Sequence, residues 1–221
     1  MEEEKKINAE ELKEETKETF NKVKSEIKDT DFKEETKNAT NFVKEMLMNP
    51  IAAVKEVAEG HGPKLATIIM IIIGLIVVGL AYALISSFRY SSIYDSLGDK
   101  IWNLVTSVTE TIFLILVPAI IIFIMNRKEK KSLLTVISTM AVAQVPNIFI
   151  TITNIVYMLI SSLSFIITPI NAGLGVAQTV LAYFGMKTLM KEEDETFIIK
   201  FVIIEVLVTF AMFVLRRIGI C

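Results

Sequence analysis

The sequence predicts an all-α membrane protein: a polytopic helical bundle of about five transmembrane helices, with a charged N-terminal extension that is helical or disordered. Charge is uneven, because residues 1–64 hold 16 Asp and Glu and 12 Lys and Arg, whereas residues 65–221 hold 9 and 11. Long charge-free runs follow, which a soluble chain of 221 residues could not bury on every face. The mean hydropathy is +0.54 despite the polar start of the chain.

The charge-free runs define the predicted spans. Residues 65–88 are 24 residues without a charge, and a helix of that length covers about 36 Å, enough to cross a bilayer core of about 30 Å. Residues 132–186 hold no charge over 55 residues and must turn back at least once, which Pro169 followed by Asn171 and Gly173 predicts near residue 169. The predicted transmembrane domain is residues 64–221, with spans 65–88, 101–125, 132–166 kinked at Pro146, 170–189 and 196–215.

The distribution of Lys and Arg favours five crossings over six. With five crossings and an inside N-terminus, the inside segments after the first span carry seven basic residues and the outside segments four. Six crossings give six against five, which is a weaker bias toward the inside. We therefore predict a cytoplasmic N-terminus and a C-terminus on the far side of the membrane.

Residues 1–43 form a polar, Lys- and Glu-rich extension in which Phe20, Val23 and Ile27 recur at helical spacing. This apolar stripe is too thin to bury enough surface for independent folding. Two interpretations stay open. The extension is either a fluctuating, solvated helix or an amphipathic helix that binds a partner or the membrane surface.

Residues 44–63 predict a short amphipathic helix and a loop at the membrane interface. Asn49 is a suitable N-cap with Pro50 at the first helical position, and Gly60 is suited to end the helix. We expect this helix to lie flat before the first span, with its apolar face toward the membrane and the Lys55 ammonium reaching back to water.

Two carboxylates lie near the middle of predicted spans, Glu110 in the second and Glu205 in the last. A central acid costs about 2.5–3.5 kcal/mol on insertion scales, so each should face the bundle or a wet cavity. One hypothesis is a proton- or cation-linked polar site inside the membrane. Its candidate residues are Glu110, Glu205, Gln144 and Asn147, with help from Asn154 and Gln178. The alternative is that each acid hydrogen-bonds to a polar side chain on a neighbouring helix and fixes packing, since no membrane-embedded Lys or Arg is expected to pair with it.

The residue types argue against most catalytic and metal chemistry. His61 is the only histidine and Cys221 the only cysteine, so neither a metal cluster of His and Cys nor a Ser-His hydrolase in the membrane is predicted. We predict no catalytic residue, no metal, no cofactor and no nucleic-acid partner. The partners left open are the lipid bilayer, a protein bound through residues 1–43 and a second copy of the chain.

Several short elements, in this order, resemble the Yip domain family of Ypt/Rab-interacting-type membrane proteins. They are Met48-Asn49-Pro50-Ile51, a basic loop, Ser132-Leu-Leu with Ala143-Gln-Val-Pro146, Tyr183-Phe-Gly185, and an acidic linker Glu192–Glu195 before the final span. The resemblance covers roughly residues 45–217 and implies five membrane helices, a cytoplasmic N-terminal region and a C-terminus on the far side. Eukaryotic relatives are associated with Rab GTPases and traffic between endoplasmic reticulum and Golgi. The acidic-Leu-Tyr-Gly-Pro motif of those relatives is missing, so the chain looks more like prokaryotic members, and the Rab role is not carried over.

These observations predict a non-enzymatic membrane protein with a scaffold, membrane-organisation or trafficking-like role. The expected location is the plasma membrane of a prokaryote, or the Golgi or endoplasmic reticulum membrane if the source is eukaryotic. The alternative function is a small transporter or channel subunit that uses Glu110 and Glu205.

Overall fold

The computed structural model describes residues 9–28, 32–62, 64–90, 97–126, 129, 131–191 and 194–218. Over these residues the chain forms helices joined by turns, without a strand, which confirms the predicted all-α class. The helices are α1 (Ala9–Lys28), α2 (Phe32–Met48), α3 (Pro50–Glu59), α4 (Lys64–Tyr90), α5 (Leu97–Met125), α6 (Leu133–Ala143), α7 (Val145–Leu159), α8 (Ser164–Met190) and α9 (Asp194–Arg217).

Five segments of the described chain are long and apolar enough to cross a membrane, as predicted. They are Lys64–Ser87, Val108–Met125, Leu133–Leu159, Ser161–Met190 and Glu195–Arg217. In the most apolar stretch of the third span, made of α6 and α7, 67% of the residues are buried, against 11–22% of the residues in the corresponding stretches of the other four. Since α6 contacts α3, α4, α5 and α8, the α6–α7 segment is the centre of the bundle.

The central segment is broken at one residue. Gln144 ends α6 and begins α7. Pro146 lies in the first turn of α7, where backbone N–H groups have no partner within the helix, so the missing N–H of proline costs no helical hydrogen bond. The break therefore redirects the helix without removing the crossing.

The predicted turn at Pro169 is wrong. The helix α7 ends at Leu159, short of the predicted residue 166, and the chain reverses through Ile160 and a 3₁₀ turn at Ser161–Leu163. Pro169 lies inside α8, in its second turn. A proline there costs one hydrogen bond, to the carbonyl four residues back, which is a smaller change than ending a helix of 27 residues.

The helix α2 runs without interruption through residue 43, where the predicted polar extension ends. Ala39, Phe42 and Met46 occupy one face of α2 and are buried against the membrane domain. The solvated-extension interpretation is therefore wrong for this half of α2. By contrast α1, although it contacts α6, leaves Phe20 70% exposed.

The helix predicted from Asn49 is present as α3. The Asn49 side chain accepts a hydrogen bond from the Ala52 N–H at 3.5 Å, and Gly60 ends the helix with a φ of 100°, a left-handed conformation that glycine adopts without strain. Its apolar face is not turned to lipid as predicted. That face is buried in protein, because α3 packs on α6 and α8, and it consists of Ala53, Val54, Val57 and Ala58.

Candidate functional site

Polar side chains gather in two parts of the bundle. We call the end that carries α3 the α3 end; there α4 and α6 begin and α5 and α8 end. The opposite end, where α7 ends and α8 begins, is the far end. The four residues predicted to form an intramembrane site lie between these ends, and a second set of contacts lies at the α3 end.

Glu110 forms an ion pair with Arg216 near the far end of α9. The two helices run antiparallel, and side chains on a helix tilt toward its N-terminus, so Glu110 reaches toward the far end while Arg216 reaches into the bundle. The expectation that no membrane-embedded Arg pairs with this acid was wrong, because Arg216 was assigned to the loop beyond the last span. Glu110 lies near the middle of α5.

Glu205 is half-buried, and no hydrogen bond or ion pair joins its carboxyl to any residue that the structure describes. It lies eleven residues before Arg216 on α9, which is three turns and about 16 Å along the helix. The two acids therefore face the same α5–α9 seam at different depths, and the structure does not bring Glu110 and Glu205 into one site.

Gln144 sits at the break between α6 and α7 and links three helices. Its Nε2 donates to the backbone carbonyl of Leu114 on α5 at 3.4 Å, and its Oε1 accepts from Nε2 of Gln178 on α8 at 2.8 Å. Asn147 behaves differently: its backbone N–H and carbonyl bond to Gln144 and Thr151, and its side chain makes no hydrogen bond within the described chain. The break thus presents one amide that links helices and one that bonds to no side chain or backbone group of the described residues.

A second amide cluster joins α7 to α8 nearer the far end. Nδ2 of Asn171 donates to Oδ1 of Asn154 at 2.8 Å, and the Asn171 oxygen accepts from the Thr153 hydroxyl. Sequence reasoning missed Asn171 and Thr153, because Asn171 was interpreted as part of a turn after Pro169. A polar residue at seven-residue spacing from Gln178 could have indicated this face of α8. Since these amides bond to one another, their arrangement holds helices together.

At the α3 end, three helices meet at Gly185. A Cβ atom placed on Gly185 would lie 2.7 Å from Cγ2 of Thr139 on α6 and 3.1 Å from Cγ2 of Val54 on α3. Real Cβ contacts do not come as close as the first of these distances. Glycine is therefore required for α3, α6 and α8 to approach one another this closely.

Lys131 fastens α3 from the loop before α6. Its Nζ donates to the backbone carbonyls of Ala58 and Glu59, both at 3.1 Å, which are acceptors left open at the C-terminus of α3. The pKa of Lys131 is lowered from its ordinary value of 10.5, mainly because the ammonium is partly buried and secondly because Lys191 carries the same charge. The end of α5 is fastened in a similar way, because Nδ2 of buried Asn126, the residue after α5, donates to the carbonyl of Leu189 on α8 at 2.8 Å.

Aromatic rings extend this junction to α9. The Tyr183 ring meets Phe197 and Phe201 edge-on, with ring centroids 5.1 and 5.3 Å apart. The neighbouring Phe184 ring lies under the ammonium of Lys55, 4.8 Å from Nζ to the centroid. Lys55 reaches an aromatic face of the bundle as well as water.

Comparison with protein families decides what kind of bundle this is. A family model described as the Yip1 domain matches residues 44–216, most of the chain. The chain belongs to the Yip1 domain family. Comparison with curated proteins and with solved structures finds no match.

The Yip1 domain begins inside α2, two residues before buried Met46, and α1 lies outside it. Two of the short elements that carried the resemblance now have a physical role. Ala143-Gln-Val-Pro146 forms the break whose Gln144 links three helices, and Tyr183-Phe-Gly185 forms the α3–α6–α8 junction. Both elements in this Yip1 domain serve helix packing.

Chemistry beyond packing has few residues to support it. No group of three or more His, Cys, Asp or Glu that could hold a metal occurs in the part of the chain that the structure describes. The basic residues 127, 128 and 130 and the acidic residues 192 and 193 lie outside the described residues, as does Cys221. Glu205 and Asn147 are the predicted site residues in this Yip1 domain whose side chains make no hydrogen bond to the described residues.

Proposed function

We propose that this protein is a non-enzymatic membrane scaffold that holds an N-terminal helix, α1, at one face of the bilayer for a protein partner. The observation that carries this proposal is the contrast between α3 and α1. The helix α3 is fixed to the bundle by Gly185 and Lys131, whereas α1 precedes the Yip1 domain and exposes Phe20. A rigid base with an exposed helical arm suits presentation of that arm.

The scaffold would display α1 in the cytoplasm, either at the plasma membrane of a prokaryote or at the Golgi or endoplasmic reticulum membrane of a eukaryote. The cytoplasmic placement is supported by the α3 end, which carries Lys64, Lys131 and Lys191, since an excess of Lys and Arg favours the cytoplasmic side. An antibody epitope or reporter after Ile220 that is detected on the cytoplasmic side would contradict this orientation.

The binding surface we propose is the apolar stripe of α1, which includes Phe20 and Ile27, both exposed. Helical anchors at this spacing dock into apolar grooves of partner proteins. Partner crosslinking in native membranes tests it: Phe20→Lys with Ile27→Lys should abolish the crosslinked products. Ser25→Lys, on the opposite face of α1, is the matched control and should leave them unchanged. Recovery of the same products from both variants would refute the proposal, and a second copy of this chain is one partner the crosslinks would identify.

A second candidate function is proton- or cation-linked transport through the residues first predicted, Glu110, Glu205, Gln144 and Asn147. It rests on Glu205, a half-buried carboxyl in a membrane span for which no described residue provides a partner. Purified protein in liposomes should then show pH-dependent cation flux that Glu205→Gln removes and Glu110→Gln reduces less. Flux equal to that of empty liposomes would exclude this candidate.

A further inference from the structure

We propose that the corner between α2 and α3 inserts Leu47 and Met48 into the lipid leaflet at the α3 end of the bundle. This is an interaction surface with the bilayer, separate from the spans. It does not depend on a partner for α1.

The depth of α3 is the first step. Val54 of α3 lies against Gly185, which is five residues before the end of α8 and thus about 7.5 Å inside that end. The same glycine touches Thr139, six residues and about 9 Å from the start of α6. Interfacial helices lie about 5–10 Å into the boundary between headgroups and acyl chains. Thus α3 lies at the level of that boundary, beside the ends of two candidate spans.

The second step is which side chains face outward at this level. The apolar face of α3 is covered by α6 and α8 and is not open to lipid. Phe42 and Met46 of α2 are buried too. Leu47 is 58% exposed and Met48 78% exposed, immediately before Asn49 caps α3. The corner therefore leaves two large apolar side chains open at the depth of the lipid boundary.

The third step is the occupant. Lipid is favoured over protein because the exposed pair is continuous with the membrane-spanning part of the bundle: the corner leads into α3, and α3 packs on α6 and α8 where two candidate spans begin and end. Exposed Lys44 and Lys55 lie one turn before and about two turns after the pair, where their ammonium groups can meet lipid phosphates. Apolar side chains between basic residues are the pattern of an interfacial anchor.

Tryptophan fluorescence in nanodiscs tests the insertion on the full chain. The only tryptophan is replaced by Trp102→Phe, and Leu47→Trp or Met48→Trp is introduced into that background. Lipids brominated high in the acyl chain should lower the emission of both variants about twofold relative to unbrominated lipids, as expected for a residue at the boundary. Asn38→Trp, exposed on α2 and about 13 Å earlier along the helix, is the control and should keep its emission.

Two results would overturn the proposal. Unquenched emission at positions 47 and 48 that acrylamide quenches as strongly as in the control would place the corner in water. Unquenched emission shielded from acrylamide would mean that protein covers the corner. A nitroxide on Met48→Cys, in a Cys221→Ser background, gives a second measurement: its collision rate should be higher with oxygen, which partitions into lipid, than with a water-soluble nickel complex.

Discussion

The α3–α6–α8 junction and the α5–α9 seam fix their helices by different means. At the junction, Gly185 brings three helices into contact, and Lys131 closes the end of one of them. At the seam, α9 lies along α5 as a span with few buried residues, with an ion pair near its far end and, midway, an acid that no described residue pairs. Shape holds the junction, so it should fail when volume is added. Charge holds the seam, so it should fail when one partner is neutralised.

The largest effect is expected from Gly185→Val. The new side chain would overlap Thr139 and Val54, and overpacking in a well-packed interior costs about 1–3 kcal/mol, or more where backbones must move. We expect the variant to lose most folded protein, measured as the monodisperse fraction in detergent and the midpoint of thermal unfolding.

Gly175→Val is the matched control for Gly185→Val, because nothing lies within 4 Å of the Cβ position on Gly175. It lies on the same helix, so both variants carry the same change in helix propensity. Equal losses of folded protein at the two positions would show that propensity, and not close approach at the junction, determines the stability.

The next effect is at the seam. Replacing Glu110 by Gln or Arg216 by Met leaves the other partner with an uncompensated charge beside the membrane, so each single change should destabilise the fold. A double-mutant cycle on unfolding in bicelles should give a coupling of about 1–2 kcal/mol, above the range of exposed pairs because lipid is near. Additive losses would mean that the pair does not hold α9.

Sequence predicted the all-α class, the five spans and the capped helix from Asn49, because charge-free runs and capping residues are local signals. It could not predict which face of α3 is covered, since Val54 is buried by Gly185, 131 residues later in the chain. For the same reason Arg216 was interpreted as a flanking charge: its pairing with Glu110 depends on α9 lying antiparallel to α5. The turn predicted at Pro169 was wrong because one lost hydrogen bond does not end a helix that is otherwise stable on both sides of the proline.

A smaller loss of stability is expected at the break between α6 and α7, where Gln144 links helices and Asn147 does not. Gln144→Leu or Gln178→Leu removes an interhelical hydrogen bond, and such bonds contribute about 0.6 kcal/mol on average and at most about 1.7 in membrane proteins. Asn147→Leu removes an amide that makes no such bond to the residues that the structure describes, so it should not destabilise the fold. Unfolding in bicelles compares the three variants, and a loss at Asn147 as large as at Gln144 would show that the Asn147 amide has an unseen partner.

The smallest effect is a pH dependence at the junction. The pKa of Lys131 is lowered by burial, so between its folded value and 10.5 the unfolded chain binds more protons, and the free energy of unfolding should rise as the pH rises through that range. Lys131→Arg keeps its charge throughout, so this increment should be absent from its pH profile while the contacts to Ala58 and Glu59 can still form. Urea unfolding of both proteins from neutral to alkaline pH measures the difference. Parallel pH profiles of the two proteins would mean that the Lys131 ammonium stays hydrated in the folded protein. The end of α3 would then be held by close packing, as at Gly185.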